Sequence, residues 1–480
     1  MGTTVVTVDA TVVNVALPAI RDDLGGGFAG QQWTANAYLV TLASLILIGG
    51  SLGDIFGERR MFSLGVAGFG AASVFCAIAP TIELLVLARA LQGVAGAVLT
   101  PAALAVIVAV FPEDERGKAV GAWTAWGAIG VVVGPVIGGQ IVDTVSWRWI
   151  FALNVPLVLA TMVLVARAVP QARGMPEGTK VDVTGALLCA FGLAAMTFGL
   201  IRQPEVGSFG DVTVALPLAA GVLSFAAFLV YESRASHPML PLGLFKRRNF
   251  AAGNIETFSM YAGLSLLFFF LVLFLQNASG YSATAAGSAS LPVTFVMFLT
   301  SMRFGALADR YGPRFFMGVG PIVAGLGMLL LTQLEADHSY VTDLLPGLLI
   351  FAVGLSMTVS PLTATVLSDA DEHNAGIASG VNNAIARLAG LMGIAIVGAI
   401  VAARYGDAAD ASVGAFHLAM AISAGLVIFG GVLGLVGIQN PRREVSCEEC
   451  PGGQFASHPV EAARSRVSVV EEAEEAPAAV

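Results

Sequence analysis

Charge is scarce in this chain. Only 12% of its 480 residues are Asp, Glu, Lys or Arg, about half the share of a soluble domain. With 56% hydrophobic residues and a mean hydropathy of +0.81, a water-soluble fold does not fit. Cysteine is scarce too, which rules out a disulfide scaffold. Cys76 and Cys189 lie in apolar runs, where a thiol acts as a small hydrophobe. Cys447 and Cys450 form one CxxC in the polar tail. Zinc there would need two further ligands and only His458 is near, so no metal is expected. The histidines form no HExxH, and no G-x4-G-K-[ST] loop occurs, so neither zinc nor ATP hydrolysis is expected. No enzyme activity, cofactor or nucleic-acid partner is expected. The formal charge of −9 sits largely in tail acids such as Glu448, Glu449, Glu461, Glu471, Glu472, Glu474 and Glu475. It says little about function.

Long apolar runs are what the chain has instead. They are continuous and rich in Leu, Ala, Gly and Val, not alternating as barrel strands are, and a helical crossing needs roughly 20 such residues. The fold class expected is an all-α polytopic membrane protein. Fourteen spans are read, at about 2–20, 33–53, 61–80, 84–110, 119–141, 149–168, 183–202, 212–231, 250–275, 285–305, 315–333, 342–367, 375–402 and 413–437. One side carries Arg59, Arg60, Arg116, Lys118, Arg167, Arg173, Lys180, Arg234, Lys246, Arg247, Arg248, Arg310, Arg314, Arg442 and Arg443; the other carries Arg21, Arg148, Arg202 and Arg404. The basic side is the cytoplasmic one, so both termini are expected inside. The Gly- and Ala-rich composition fits a bacterial plasma (inner) membrane. The first run is barely long enough and no basic residue precedes it, so the natural chain is expected to extend upstream by roughly ten residues.

A repeat organises the spans. Gly50-Ser51-Leu52-Gly53-Asp54-Ile55-Phe56-Gly57-Glu58-Arg59 matches Gly305-Ala306-Leu307-Ala308-Asp309-Arg310-Tyr311-Gly312-Pro313-Arg314 at Gly, Leu, Asp, Gly and Arg in one register. Each copy follows the second span of its own segment. Two homologous six-helix halves explain this: residues 1–168 and 250–437, with 169–249 a linker holding two inserted spans and 438–480 a cytoplasmic tail of disordered composition.

With this repeat the chain resembles the major facilitator superfamily, and specifically its fourteen-helix drug:proton antiporter branch. The loop copies are similar to that superfamily's cytoplasmic signature, although Ile55 and Glu58 stand where basic residues are usual. Their Gly50, Asp54, Gly57, Arg59, Gly305, Asp309, Gly312 and Arg314 are gating candidates. Gly121, Gly130, Gly134-Pro135 and Gly138-Gly139 fall at G-x8-G-x3-G-P-x2-G-G, like the antiporter motif of the fifth helix. Glycines at such spacing bring helices close, and the proline bends the helix. Asp9-Ala10-Thr11-Val12-Val13-Asn14-Val15-Ala16-Leu17-Pro18 is similar to the branch's first-helix motif, and Arg89-Ala90-Leu91-Gln92-Gly93 to its R-x-x-Q-G element.

These residues carry the functional expectation. A carboxylate inside a span is neutral, paired or functional, which makes Asp9 the first candidate for carrying a proton, with hydration at a short helix's end as the plainer reading. Arg89 always stays charged and can bias a nearby acid, or else it snorkels to the interface. Glu256 is open between a cavity-lining proton or cation site and an interfacial charge. Asn14, Gln92, Asn254, Phe258 and Tyr261 are expected to line a substrate cavity; Phe268, Phe269, Trp123 and Trp126 could add apolar wall. Asn382, Asn383 and Arg387 are open between cavity lining and helix-to-helix bonding. The Trp147-Arg148-Trp149 and Asn154-Val155-Pro156 segments read as structural, with an aromatic belt at the outer surface. The resemblance implies proton-coupled efflux of small amphipathic or cationic molecules by alternating access, with protons, a small-molecule substrate and the lipid bilayer as partners. A dedicated exporter of one metabolite, antibiotic, peptide or lipid is the alternative in the same fold. A membrane sensor or scaffold that transports nothing is the alternative from another class.

Overall fold

A computed structural model of the chain describes residues 2–111, 130, 133–169, 182–236, 238–368, 375–402 and 409–440. Among these residues all regular structure is helical. A bilayer offers no water to the backbone, so each apolar run satisfies its own N–H and C=O groups. The helices before residue 169, called the first half below for the repeat copy they carry, are α1 (Gly2–Leu24), α2 (Gly27–Phe56), α3 (Glu58–Ala77), α4 (Ile82–Val110), α5 (133–144), α6 (Arg148–Ala152) and α7 (Asn154–Ala168), and those from α10 onward are called the second half. A hairpin of α8 (Val183–Val206) and α9 (Val212–Glu232) follows. After a 3-10 turn at Leu242–Lys246 come α10 (Arg248–Asn277), α11 (Ala283–Ser288), α12 (Leu291–Tyr311) and α13 (Pro313–Leu331). A π turn at Tyr340–Leu344 leads into α14 (Leu345–Ser368), then α15 (Ala375–Ala402) and α16 (Ala409–Gly437). Eleven segments among the described residues are long and apolar enough to cross a bilayer.

Two expected spans are each built from two helices. α6 ends at Ala152 and α11 ends at Ser288. Those are the residues whose carbonyls would accept from positions 156 and 292, and both positions are proline, which has no N–H to donate. Each short helix and its successor nevertheless make one crossing, Arg148–Arg167 and Ala283–Tyr311.

The repeated loop folds the same way twice. α2 passes to α3 through Gly57 at φ 90°, and α12 passes to α13 through Gly312 at φ 93°, backbone angles that favour glycine over residues with a Cβ. Each glycine N–H closes the preceding helix, Gly57 on the Gly53 carbonyl at 2.9 Å and Gly312 on the Ala308 carbonyl at 2.8 Å. The arginine two residues on caps the last helix of its own half. Arg59 Nη2 donates to the Ala166 carbonyl of α7 at 3.1 Å, and Arg314 Nε to the Leu435 carbonyl of α16 at 2.6 Å. A cation there meets the negative end of the helix dipole. Arg248 reinforces the second closure through the Gly437 and Val436 carbonyls, both at 2.8 Å.

One apolar core joins the halves, with Val12, Val13 and Leu17 of α1 packed with Phe269, Phe270 and Leu273 of α10. The α8–α9 hairpin is not a free spacer. α8 packs on both α2 and α15, with Leu193, Val40, Leu391 and Met392 in one cluster and Trp33 6.2 Å from Phe198. Asp211 caps α9, and hydrogen bonds from the Thr213 hydroxyl and N–H hold its carboxyl below the usual carboxylate range. Large apolar side chains on α9 and α12, Leu223 and Phe298 among them, are exposed, as a lipid-facing surface requires. The aromatic pair near α6 divides: Trp149 is exposed, whereas Trp147 is buried and donates from Nε1 to Asp23 Oδ2 at 2.9 Å.

Candidate functional site

Asp9 is 2% exposed and Arg89 1%, so neither is hydrated at a helix end nor snorkelling. Asp9 lies on α1 and Arg89 on α4, and Arg89 Nη1 reaches Asp9 Oδ2 at 2.5 Å. Gln92, one turn along α4, donates from Nε2 to Asp9 Oδ1 at 2.8 Å and accepts from Arg89 Nη1 at 2.6 Å. The three-residue spacing that puts Arg89 and Gln92 on one face therefore lets both address one carboxylate.

Three further helices close this network. Asn154 Nδ2, at the start of α7, donates to Asp9 Oδ1 at 2.8 Å and to Ser73 Oγ of α3 at 3.2 Å. Ser73 Oγ also accepts from Gln92 Nε2 at 2.9 Å. Arg89 Nε donates to the Thr34 carbonyl of α2 at 3.1 Å, and its guanidinium lies 4.6 Å from the centre of the Tyr38 ring and 5.8 Å from that of Phe151. Sequence reasoning read the Asn154 segment as structural and gave Ser73 no role. An asparagine inside an apolar run, two residues before a proline, was the available signal for the first. Ser73 offered none, because serine in helices is common and bonds locally, as Ser73 also does to the Phe69 carbonyl.

Next to this network lies a cavity of about 510 Å³ lined by both halves. Asn14 and Tyr261 line it, together with Thr11, Arg89, Phe268 and Pro135. Asn382, Asn383 and Arg387 of α15 also line it. Asp9 and Gln92 are not in the wall, but Arg89, which is bonded to both, is. Asn254 is also behind the wall, its Oδ1 accepting from Asn382 Nδ2 at 3.1 Å, while the same amide donates to Thr257 Oγ1 at 2.7 Å. Asn382 thus combines cavity lining with helix-to-helix bonding. Phe258 packs in the cluster shared with α8, and Phe269 in the core.

Glu256 neither lines this cavity nor sits at an interface with water. It is fully buried and, among the described residues, neither carboxyl oxygen has a hydrogen-bond partner. It faces α16, where a methyl group on Gly434 would stand 2.9 Å from Oε2.

The glycines of the fifth-helix pattern face two ways. A Cβ on Gly134 would collide with Thr11, and one on Gly138 would lie 2.8 Å from Val12 Cγ1, both on α1. Gly139 instead meets the other half, its missing Cβ 2.5 Å from Thr284 Cα, and Gly287 on α11 leaves no room for a Cβ against the Pro135 carbonyl. Gly130 is buried, while Gly121, Trp123, Trp126, Cys447, Cys450 and the acidic tail lie outside the described residues. Beyond Gly139, Asp143 accepts from the Ala283 N–H at 2.9 Å, the Thr284 N–H at 2.8 Å and Thr284 Oγ1 at 2.6 Å. Gln276 Nε2 donates to the Val15 carbonyl at 2.9 Å and Gln32 Nε2 to the Ile394 carbonyl at 3.0 Å. The two halves are thus bonded together at this end of the bundle.

Among the gating candidates, Gly50 approaches Pro101 of α4 and Gly305 approaches Ser360 of α14. Gly57, Gly312, Arg59 and Arg314 form the paired turns and caps already described. Asp309 is exposed, and the Asp54 side chain lies outside the described residues.

The chain matches the family model "Major Facilitator Superfamily" over residues 1–394. It is 34% identical over 412 residues to the tetracenomycin C resistance and export protein of Streptomyces glaucescens, covering 85% of this chain and 75% of that protein. It is 35% identical over 446 residues to a puromycin resistance protein of Streptomyces alboniger, covering 90% and 88%, and 31% identical over 407 residues to the multidrug resistance protein Stp of Mycobacterium tuberculosis, covering 84% and 74%. In fold it is similar to a bacterial homologue of the human lysosomal transporter Spinster, with TM-score 0.64, 15% identity, 91% of this chain and 94% of that one. The xylose transporter of E. coli gives TM-score 0.61 at 14% identity over 92% and 95%. The chain is a multi-pass membrane protein that belongs to the Major Facilitator Superfamily.

Proposed function

We propose that this chain is a fourteen-helix, proton-coupled exporter of small amphipathic, drug-like molecules, working by alternating access in a bacterial plasma membrane with both termini cytoplasmic. The observation that carries the reading is the buried Asp9–Arg89 pair directly behind a cavity lined by both halves. Protonation of Asp9 would remove the counter-charge of a residue in the cavity wall. A proton is thereby coupled to the cavity without touching the substrate. Relatives named for antibiotic resistance and export support efflux as the direction of transport.

In the proposed cycle, Asp9 takes a proton and substrate leaves while the cavity faces outward, and the proton leaves and new substrate enters while it faces inward. With the basic loops inside, the end held by Asp143, Gln276 and Gln32 is the outer one, and the conformation described is closed to the outside. The paired turns at Gly57 and Gly312 are the inner gate. Glu256 is the second candidate for coupling. Relatives named for single antibiotics favour a narrow-substrate exporter as the second reading.

The test is accumulation of anionic, neutral and cationic fluorescent amphiphiles in energised cells lacking their own pumps, with and without this protein. Lower accumulation that disappears when the proton gradient is collapsed is the expected result. Unchanged accumulation of every dye, with the protein demonstrably in the membrane, would overturn multidrug export in favour of a narrow-substrate exporter.

A further inference from the structure

The cavity carries an unbalanced charge. Among the described residues of its wall there is no aspartate or glutamate, but there are two arginines, Arg89 and Arg387. Arg89 is neutralised by Asp9 at 2.5 Å. Arg387, on α15, makes no ion pair or hydrogen bond among the described residues, and its Nε is buried without a partner. Ser379, Asn383, Ala386, Gly390 and Ile394 share its face of α15 at helical spacing and also line the cavity. The guanidinium therefore sits on a strip that passes from polar to small and apolar residues. Tyr261, Leu264 and Phe268 of α10 add an aromatic and aliphatic surface to the same space.

We propose that the molecules this site takes are amphipathic organic anions, in which a carboxylate, sulfonate or phenolate pairs with Arg387 and an apolar ring system packs on the α10 residues. The proposal rests on the export reading above and narrows its substrate class, removing the cations that the sequence alone allowed. The partly buried Arg387 guanidinium has no counter-ion among the described residues, and a planar oxyanion matches its parallel N–H groups. A cation entering the same cavity meets an uncompensated positive charge at reduced screening. An inside-negative membrane potential also acts outward on an anion, so such a substrate brings part of its own driving force.

The test is equilibrium binding to the full-length protein in nanodiscs, by fluorescence anisotropy, with two dyes on the same xanthene frame: fluorescein, an anion at neutral pH, and a rhodamine methyl ester, a cation. Fluorescein is expected to bind at least about tenfold more tightly than the rhodamine ester, the scale of one charged hydrogen bond. Arg387→Gln should abolish that preference, Arg387→Lys should retain it, and Arg387→Glu should reverse it. The lysine variant separates loss of charge from loss of fold. Equal or tighter binding of the rhodamine ester, undetectable fluorescein binding, or unchanged fluorescein affinity in Arg387→Gln would each overturn the assignment. Because binding needs no gradient, selective fluorescein binding without gradient-driven export would remove the export reading and leave the anion site standing. Gradient-driven export without anion preference would do the reverse.

Discussion

Arg89 and Asp9 are eighty residues apart in sequence, yet Nη1 and Oδ2 stand at 2.5 Å with both side chains out of contact with water. Only Arg89 of the two borders the cavity. In the proposed mechanism a proton arriving at Asp9 would act on the cavity through the arginine, by changing how much of its charge is compensated.

Asp9→Asn is expected to abolish gradient-driven export while leaving a folded protein. It should also lower stability by about 3–5 kcal/mol, because the Arg89 charge stays buried without its partner. Asp9→Asn combined with Arg89→Gln should recover much of that stability and none of the export. Thermal unfolding of the purified variants and dye efflux from energised cells provide the two readouts. Recovery of export along with stability would show that Asp9 serves the fold and not the coupling.

Asn154 ties α7 to Asp9 and Ser73 through one amide. Asn154→Leu should cost about 1–3 kcal/mol, since it strips a donor from a buried carboxylate, and should shift the pH at which export is half-maximal. Ser73→Ala, which removes no donor to Asp9 itself, should shift it less. An Asn154→Leu variant with an unchanged pH profile of efflux would reduce Asn154 to a packing role.

Gly139 and Gly287 each leave no room for a side chain where α5 meets α11. Gly139→Leu or Gly287→Leu is expected to hold the two halves apart at that end, and Asp143→Ala to loosen the same contact by removing the acceptor for three hydrogen bonds. Spin labels at Ser146 and Ser279 should report longer distances in all three variants, the alanine variant shifting least. Identical distance distributions would mean that this contact does not hold the closed state.

Glu256 faces α16 outside the cavity wall and has no hydrogen-bond partner among the described residues. With coupling assigned to Asp9, Glu256→Gln should keep gradient-driven export, because glutamine fills the same space beside Gly434. Loss of gradient dependence in Glu256→Gln, with export retained in Asp9→Asn, would transfer the coupling role to Glu256.

The Asp9 site was half legible before the fold was known. A carboxylate and an arginine in separate apolar runs are costly enough that pairing or function is the expected reading, and the R-x-x-Q spacing put Gln92 on the same face as Arg89. Asn154 was visible as a residue but not as a partner. Gln92, Asn254 and Phe258 looked like cavity residues because polar and aromatic side chains in spans invite that reading, yet each turns toward a neighbouring helix. Spacing on one helix gives a face, and it does not say which neighbour that face meets.

The sequence by itself determined that the chain lives in a bilayer, that its spans are helical, and that one loop occurs twice. Those properties follow from local composition, from the backbone's need for internal hydrogen bonds and from spacing along the chain. Only the tertiary structure decided which acid pairs with which base, that Arg387 borders the cavity with no counter-charge among the described residues, and that α8 bridges α2 and α15. Lipid is as apolar as most of these side chains, so hydropathy does not select between helix neighbours. Close glycine contacts and a few buried hydrogen bonds make that choice, and they exist only once the helices are assembled.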